Sequence, residues 1–85
     1  MKHYKKLTQP YFNEVYGRIK TFELRKNDCD YNVGDVIVLQ EYDNETDTYS
    51  GSEIDAEITY ILKDYIGLQE GYCILGINVL SRKRG

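Results

Sequence analysis

Eighty-five residues, 41% hydrophobic and 29% charged, make one small domain with a thin core. The chain has no low-complexity tract, internal repeat or apolar run near the roughly 20 residues of a membrane span, which excludes a disordered chain, a repeat array and a membrane-spanning helix. The net charge of −3 conceals a segregation: residues 1–26 hold seven Lys and Arg against Glu14 and Glu23, residues 27–80 hold Lys63 against twelve acids, and residues 81–85 add Arg82, Lys83 and Arg84.

An acidic chain is a poor non-specific binder of nucleic acid, but a basic patch at one end of an acidic body attracts a polyanion locally. The opening "MKHYKKLTQP" has charge without an apolar segment behind it, so the expected location is cytoplasmic, with no membrane partner. Cys29 and Cys73 lack C-x-x-C or Cys/His spacing and are expected as free thiols; no metal and no cofactor are expected.

In chain order, His3 to Leu7 reads as a short first strand. Thr8-Gln9-Pro10 reads as a helix start, because proline near the first turn gives up an N–H that has no partner there. Tyr11, Phe12, Val15 and Tyr16 fall at helical spacing, and Gly17 stops the run. From Lys20 the period becomes two, with Phe22 and Leu24 expected on the core face and Thr21, Glu23 and Arg25 on the other.

"NDCDYNVGD" is a turn-rich connection, and "VIVLQEY" is apolar on both faces, as in a strand inside a sheet. "DNETDTYSGS" reads as a polar hairpin loop, its Asn44-Glu45-Thr46 a loop tip rather than a glycosylation site. "EIDAEITYIL" alternates, placing Ile54, Ala56, Ile58, Tyr60 and Leu62 toward the core. "KDYIGLQEG" has room for a single turn, and "YCILGINVL" puts Cys73, Leu75, Ile77 and Val79 on one face. "SRKRG" reads as a frayed basic tail. These elements predict a single domain over residues 1–80 with a tail at 81–85. Its class is mostly β (α+β), a small β-barrel of about five to six strands with one early helix, its first and last strands paired.

The chemistry concentrates in "GRIKTFELRKND", where Lys20, Glu23, Arg25 and Lys26 crowd into one short strand. As surface ion pairs they would contribute only about 0–1 kcal/mol. Two cations bracketing a carboxylate also suit a nucleotide: Lys and Arg take phosphate or a base edge, and Glu accepts from an exocyclic amine. His3 is the single histidine, which removes most nucleophile–base constellations and reads as a strand residue. Among nine tyrosines, Tyr11, Tyr16 and Tyr31 flank the charged strand and are the candidates to stack on a base.

Lys20-Thr21-Phe22-Glu23-Leu24-Arg25 resembles the G-x-K-x-x-E-x-R signature of ASCH domains, a branch of the PUA-like superfamily related to the domain of activating signal cointegrator 1. The blocks "HYKKLTQPYFNEV", "KTFELRKND", "NVGDVIVLQEYD" and "GYCILGINVL" are similar to the DUF3850 family over nearly the whole chain. The resemblance implies a PUA-like barrel with a cleft beside the helix and the charged strand, binding RNA or a modified nucleoside. It departs from the signature at Arg18, where a glycine is expected.

Some ASCH proteins hydrolyse N4-acetylcytidine with a lysine, a threonine and a glutamate. Lys20 matches the lysine, the threonine position is Glu23, and Glu70 is the remaining candidate acid. A base or nucleophile must shed its proton, which Glu23 opposes, so a charged Lys20 suits binding better. The expected ligand site is Lys20, Thr21, Glu23, Arg25, Lys26, Arg18 and Tyr16. No catalytic residue is assigned unless the protein is an amidohydrolase, in which case Lys20 and Glu23 act. The alternative partner is a basic protein on the acidic face from Asp43 to Glu57.

Overall fold

Alternating burial makes strands of four segments, an apolar run buried on both faces makes a fifth, and helical spacing makes a helix of the sixth. In a computed structural model that describes every residue, Met1–Gly85, they are β1 (Lys2–Leu7), α1 (Tyr11–Tyr16), β2 (Phe22–Lys26), β3 (Val36–Asp43), β4 (Thr48–Lys63) and β5 (Tyr72–Lys83). The protein is mostly β with one short helix, and its five strands form one sheet in the order β1-β3-β4-β5-β2. β1 runs parallel to β3, and the other neighbours are antiparallel.

Bulges at Asp55/Ala56 and Ile58/Tyr60 help the long β4 and β5 curl this sheet into a half-barrel. Its concave side carries the core: Leu7, Ile37, Leu39, Ile54, Ala56, Ile58, Cys73, Leu75 and Ile77 from the strands, Tyr31 from the loop before β3, and Phe12 and Val15 from α1. A helix of six residues is too short to persist alone, so α1 depends on Phe12 and Val15 for its place.

The first and last strands do not pair. β5 has β4 on one side and β2 on the other, leaving no edge for β1, which pairs with β3 instead. The two sheet edges are bridged by a side chain: Arg25 Nη2 donates to the Lys6 carbonyl at 2.7 Å.

The expected face of β2 is reversed. Glu23 is 2% exposed, whereas Phe22 and Leu24 are 46% and 55% exposed. Glu23 and Arg25 stand in register with the buried Leu75 and Cys73 of β5, so they point to the concave side and Phe22 and Leu24 to the convex side. In β4 the Ile58/Tyr60 bulge shifts the alternation by one residue. Ile54, Ala56 and Ile58 face the core as expected, but beyond the bulge Ile61 packs against it and Tyr60 is 63% exposed.

Two polar segments are more ordered than their composition predicts. The hairpin turn occupies Asn44 to Asp47, because Thr48 and Tyr49 already pair with Asp43 and Tyr42, whose ring meets that of Tyr49 at 5.0 Å. Ser81 to Lys83 do not fray: they extend β5 along the N-terminal half of β4, with Lys83 opposite Glu53. The segment between β4 and β5 holds turns closed by bonds from Leu68 to Tyr65 and from Tyr72 to Gln69.

His3 is buried and structural. Its Nε2 donates to Asp35 Oδ2 at 2.8 Å, and its ring lies 4.7 Å from that of Tyr31. The bond from His3 holds the Asp35 carboxyl below its ordinary range, and bonds from Ser50 and then Gln9 do the same for Glu41. Both groups are more acidic folded than unfolded. Their contribution is therefore complete above the unfolded carboxylate range near pH 4 and is lost as pH falls through the lower folded values. Thermal melts are expected to show Tm falling below about pH 4, with a shallower fall for Asp35→Asn. An identical acid profile for wild type and Asp35→Asn would exclude this carboxyl as a source of the acid sensitivity.

Candidate ligand cleft

The chain leaves α1 through a tight turn in which the amides of Ile19 and Lys20 both bond to the Glu14 carbonyl. Arg18 adopts φ +61° there, the left-handed region that favours glycine. The turn thus has a glycine-type backbone with an arginine in it. It sets Lys20 at the foot of the helix, and the Thr21 carbonyl then accepts from the Ile77 amide at 3.0 Å, fixing the start of β2 on β5.

Two cations converge on the Glu23 carboxylate. Lys20 Nζ donates to its Oε1 at 2.6 Å and to the Phe22 carbonyl at 2.7 Å. Arg25 approaches Oε2 with Nε at 3.0 Å and Nη2 at 2.9 Å, while Nη2 also reaches the Lys6 carbonyl. Both cations are mostly shielded from water, so this is a buried ion triad with one carboxylate and two positive charges.

A cleft of about 490 Å³ opens above it. Lys6, Leu7 and Thr8 at the end of β1 form one wall, Lys20 with Phe22 to Arg25 the other, and Tyr11 of α1 closes an end. Lys20 Nζ lies 4.8 Å from the Phe22 ring centre and 6.0 Å from that of Tyr11, while Lys6 Nζ sits 4.1 Å over Tyr42. Lys6, Lys20 and Arg25 outnumber Glu23, so the cleft is cationic and its rim carries two exposed aromatic rings, Tyr11 and Phe22.

Beyond Thr8 lies a second hollow of about 550 Å³ of opposite character, lined by Glu41, Asp43 and Glu45 with Gln9, Asn44, Thr48 and Ser50. It forms part of the acidic face read from the sequence.

Of the sequence-derived candidates, Lys20, Glu23 and Arg25 come together in the cleft. Thr21 is exposed beside it, Lys26 sits at the far end of β2, and Arg18 is on the surface of the turn; none of the three lines it. Tyr16 lies elsewhere, its ring under the Arg84 guanidinium at 3.9 Å and that of Arg82 at 5.0 Å. Tyr31 is buried with its hydroxyl unpartnered, and burial followed by the nearby Cys29 pushes its phenol far above the ordinary range. Glu70 is exposed in the turns before β5 and is not a cleft residue.

Lys6 and Thr8 carried no signal in the sequence beyond Lys6's charge, and Phe22 and Leu24 were concealed by their expected place in the core. Cys29 and Cys73 are free thiols. Burial pushes the Cys73 thiol up, whereas the half-buried Cys29 contacts Lys5 Nζ at 2.8 Å and Asp28 at 3.1 Å. No group of three or more His, Cys, Asp or Glu side chains is arranged to hold a metal ion.

Residues 2–77 match the family model described as Domain of unknown function (DUF3850). The chain belongs to this family. No curated protein matches it in sequence. The DUF3850 match includes the whole cleft, from Lys6 to Arg25, and the strands that support it. Residues 78–85, which bring Arg82 and Arg84 onto Tyr16, lie outside the match.

Proposed function

We propose that this DUF3850 protein is an ASCH-type, PUA-like binding module whose cleft takes a nucleotide of single-stranded RNA or a modified nucleoside, in the cytoplasm. One observation carries the reading: two cations hold a single buried carboxylate in a cleft that a third cation, Lys6, and two exposed aromatic rings also line. Cations suit phosphate, a fixed carboxylate suits an exocyclic amine, and exposed rings suit a base face. Binding is favoured over amidohydrolysis, because Lys20 uses its N–H groups on Glu23 and the Phe22 carbonyl, and Glu70 stands outside the cleft.

Lys6→Gln tests the cleft without disturbing Glu23. Titration of labelled single-stranded RNA should give an affinity about 10-fold lower or worse for Lys6→Gln and for Lys20→Gln. The slope of log K against log salt should be shallower by about 0.7 per phosphate contact removed. Unchanged affinity and slope in both variants would refute the assignment, and release of acetate from N4-acetylcytidine that depends on Lys20 would move it to the hydrolase.

A further inference from the structure

The reversed face of β2 and the bulge in β4 together expose an aromatic row on the convex side of the sheet. Phe22 of β2 and Tyr60 of β4 are both in register with Gly76 of β5, which lies between them. Strands are about 4.8 Å apart, so the two backbones stand about 10 Å apart across a residue with no side chain. A Cβ at Gly76 would come within 3.2 Å of Tyr60 Cβ and 3.3 Å of Thr59 Oγ1. The bare glycine puts no β5 side chain between Phe22 and Tyr60, and this strip, bordered by the Thr59 hydroxyl, is the slot.

The slot adjoins the cleft at Phe22, which lines the cleft and stands in register with Gly76. The cation at the slot is Lys20, which lies against Phe22 on the side of the cleft. Glu57, paired with Asn78 two residues along β5 from Gly76, borders the Tyr60 side, so an anionic group is favoured only at the Phe22 end. Tyrosine and phenylalanine side chains flanking the strip, with the Lys20 ammonium at one border, make a platform on which a base stacks regardless of sequence.

We propose that the protein binds an oligonucleotide rather than a lone nucleotide: one nucleotide occupies the cleft, and the adjoining base stacks over Gly76 between Phe22 and Tyr60. This rests on the reading of the cleft as a nucleotide site. The linking phosphate passes the rim at Lys20. Tyr60 is therefore a binding residue more than twenty positions beyond the family signature, and its contribution depends on chain length in the ligand.

The test compares cytidine monophosphate with a cytidine tetranucleotide by calorimetry. Wild type should bind the tetranucleotide about 5- to 150-fold more tightly, the range of one stacked base. Tyr60→Ser should remove most of that advantage without altering monophosphate affinity, and Tyr60→Phe, which keeps the ring, should retain it. A tetranucleotide advantage that survives Tyr60→Ser overturns the slot and leaves the cleft standing. No binding of either ligand by wild type overturns the cleft and the slot with it. Sedimentation that shows a wild-type dimer lost in Tyr60→Ser, with RNA affinity unchanged, would assign the row to self-association and also overturn the proposal.

Discussion

Glu23→Ala is expected to destabilise the fold by about 3–5 kcal/mol, the typical cost of removing one member of a buried ion pair and leaving its partners uncompensated. Lys20 and Arg25 would then face each other across the space the carboxylate held, and Arg25 would lose the anchor that aims it at the Lys6 carbonyl. In a domain of this size such a loss lowers Tm by roughly 12 °C or more, which thermal melts resolve easily. The companion variant is Lys20→Met, Glu23→Leu, Arg25→Met together. Apolar replacement of an entire buried ion cluster is often neutral or stabilising, so the triple variant should recover most of the stability while losing RNA binding. A Glu23→Ala protein that melts with wild type would show that the carboxylate is hydrated and that the triad does not organise the strand.

Phe12→Ala has the second large expected effect, about 3–5 kcal/mol, because a fully buried ring is removed from a thin core. The six-residue α1 has only Phe12 and Val15 buried, and losing one removes much of what keeps it against the sheet. Tyr11, half exposed and next to Phe12, would leave the end of the cleft with it. Urea titrations should therefore show Phe12→Ala losing stability and RNA affinity together, while Tyr11→Ala loses affinity at nearly wild-type stability. Full RNA affinity in folded Phe12→Ala would separate the helix from the ligand site.

The legible parts of the fold were those in which one periodicity had one interpretation. The helix from Tyr11 to Tyr16 ended by Gly17, which buries Phe12 and Val15 while Tyr11 stays half exposed, the apolar run from Val36 to Leu39, and the alternation from Cys73 to Val79 follow their patterns. β2 has two interpretations of its alternation, and hydrophobicity selects the wrong one. Glu23 is acceptable inside only because cations three residues before and two residues after it close over its carboxylate, a pairing that a period of two does not express. β4 failed differently: a single extra residue at the bulge reversed the faces of everything after it, with no glycine or proline to announce the change. Lys20, Glu23 and Arg25 could be found together because they are neighbours in the chain. Lys6 and Tyr11 reach them only through the parallel pairing of β1 with β3 and the docking of α1.

The bridge from Arg25 to Lys6 has a consequence for motion. β1 and β2 each have one hydrogen-bonded neighbour, and they are the two strands that wall the cleft. The site is thus built on the parts of the sheet with least support, where local opening costs less than global unfolding. A ligand touching both walls acts as a clasp between two free edges. Its binding energy would appear as slower amide exchange along β1 and β2, so that occupancy and the integrity of the sheet become one equilibrium.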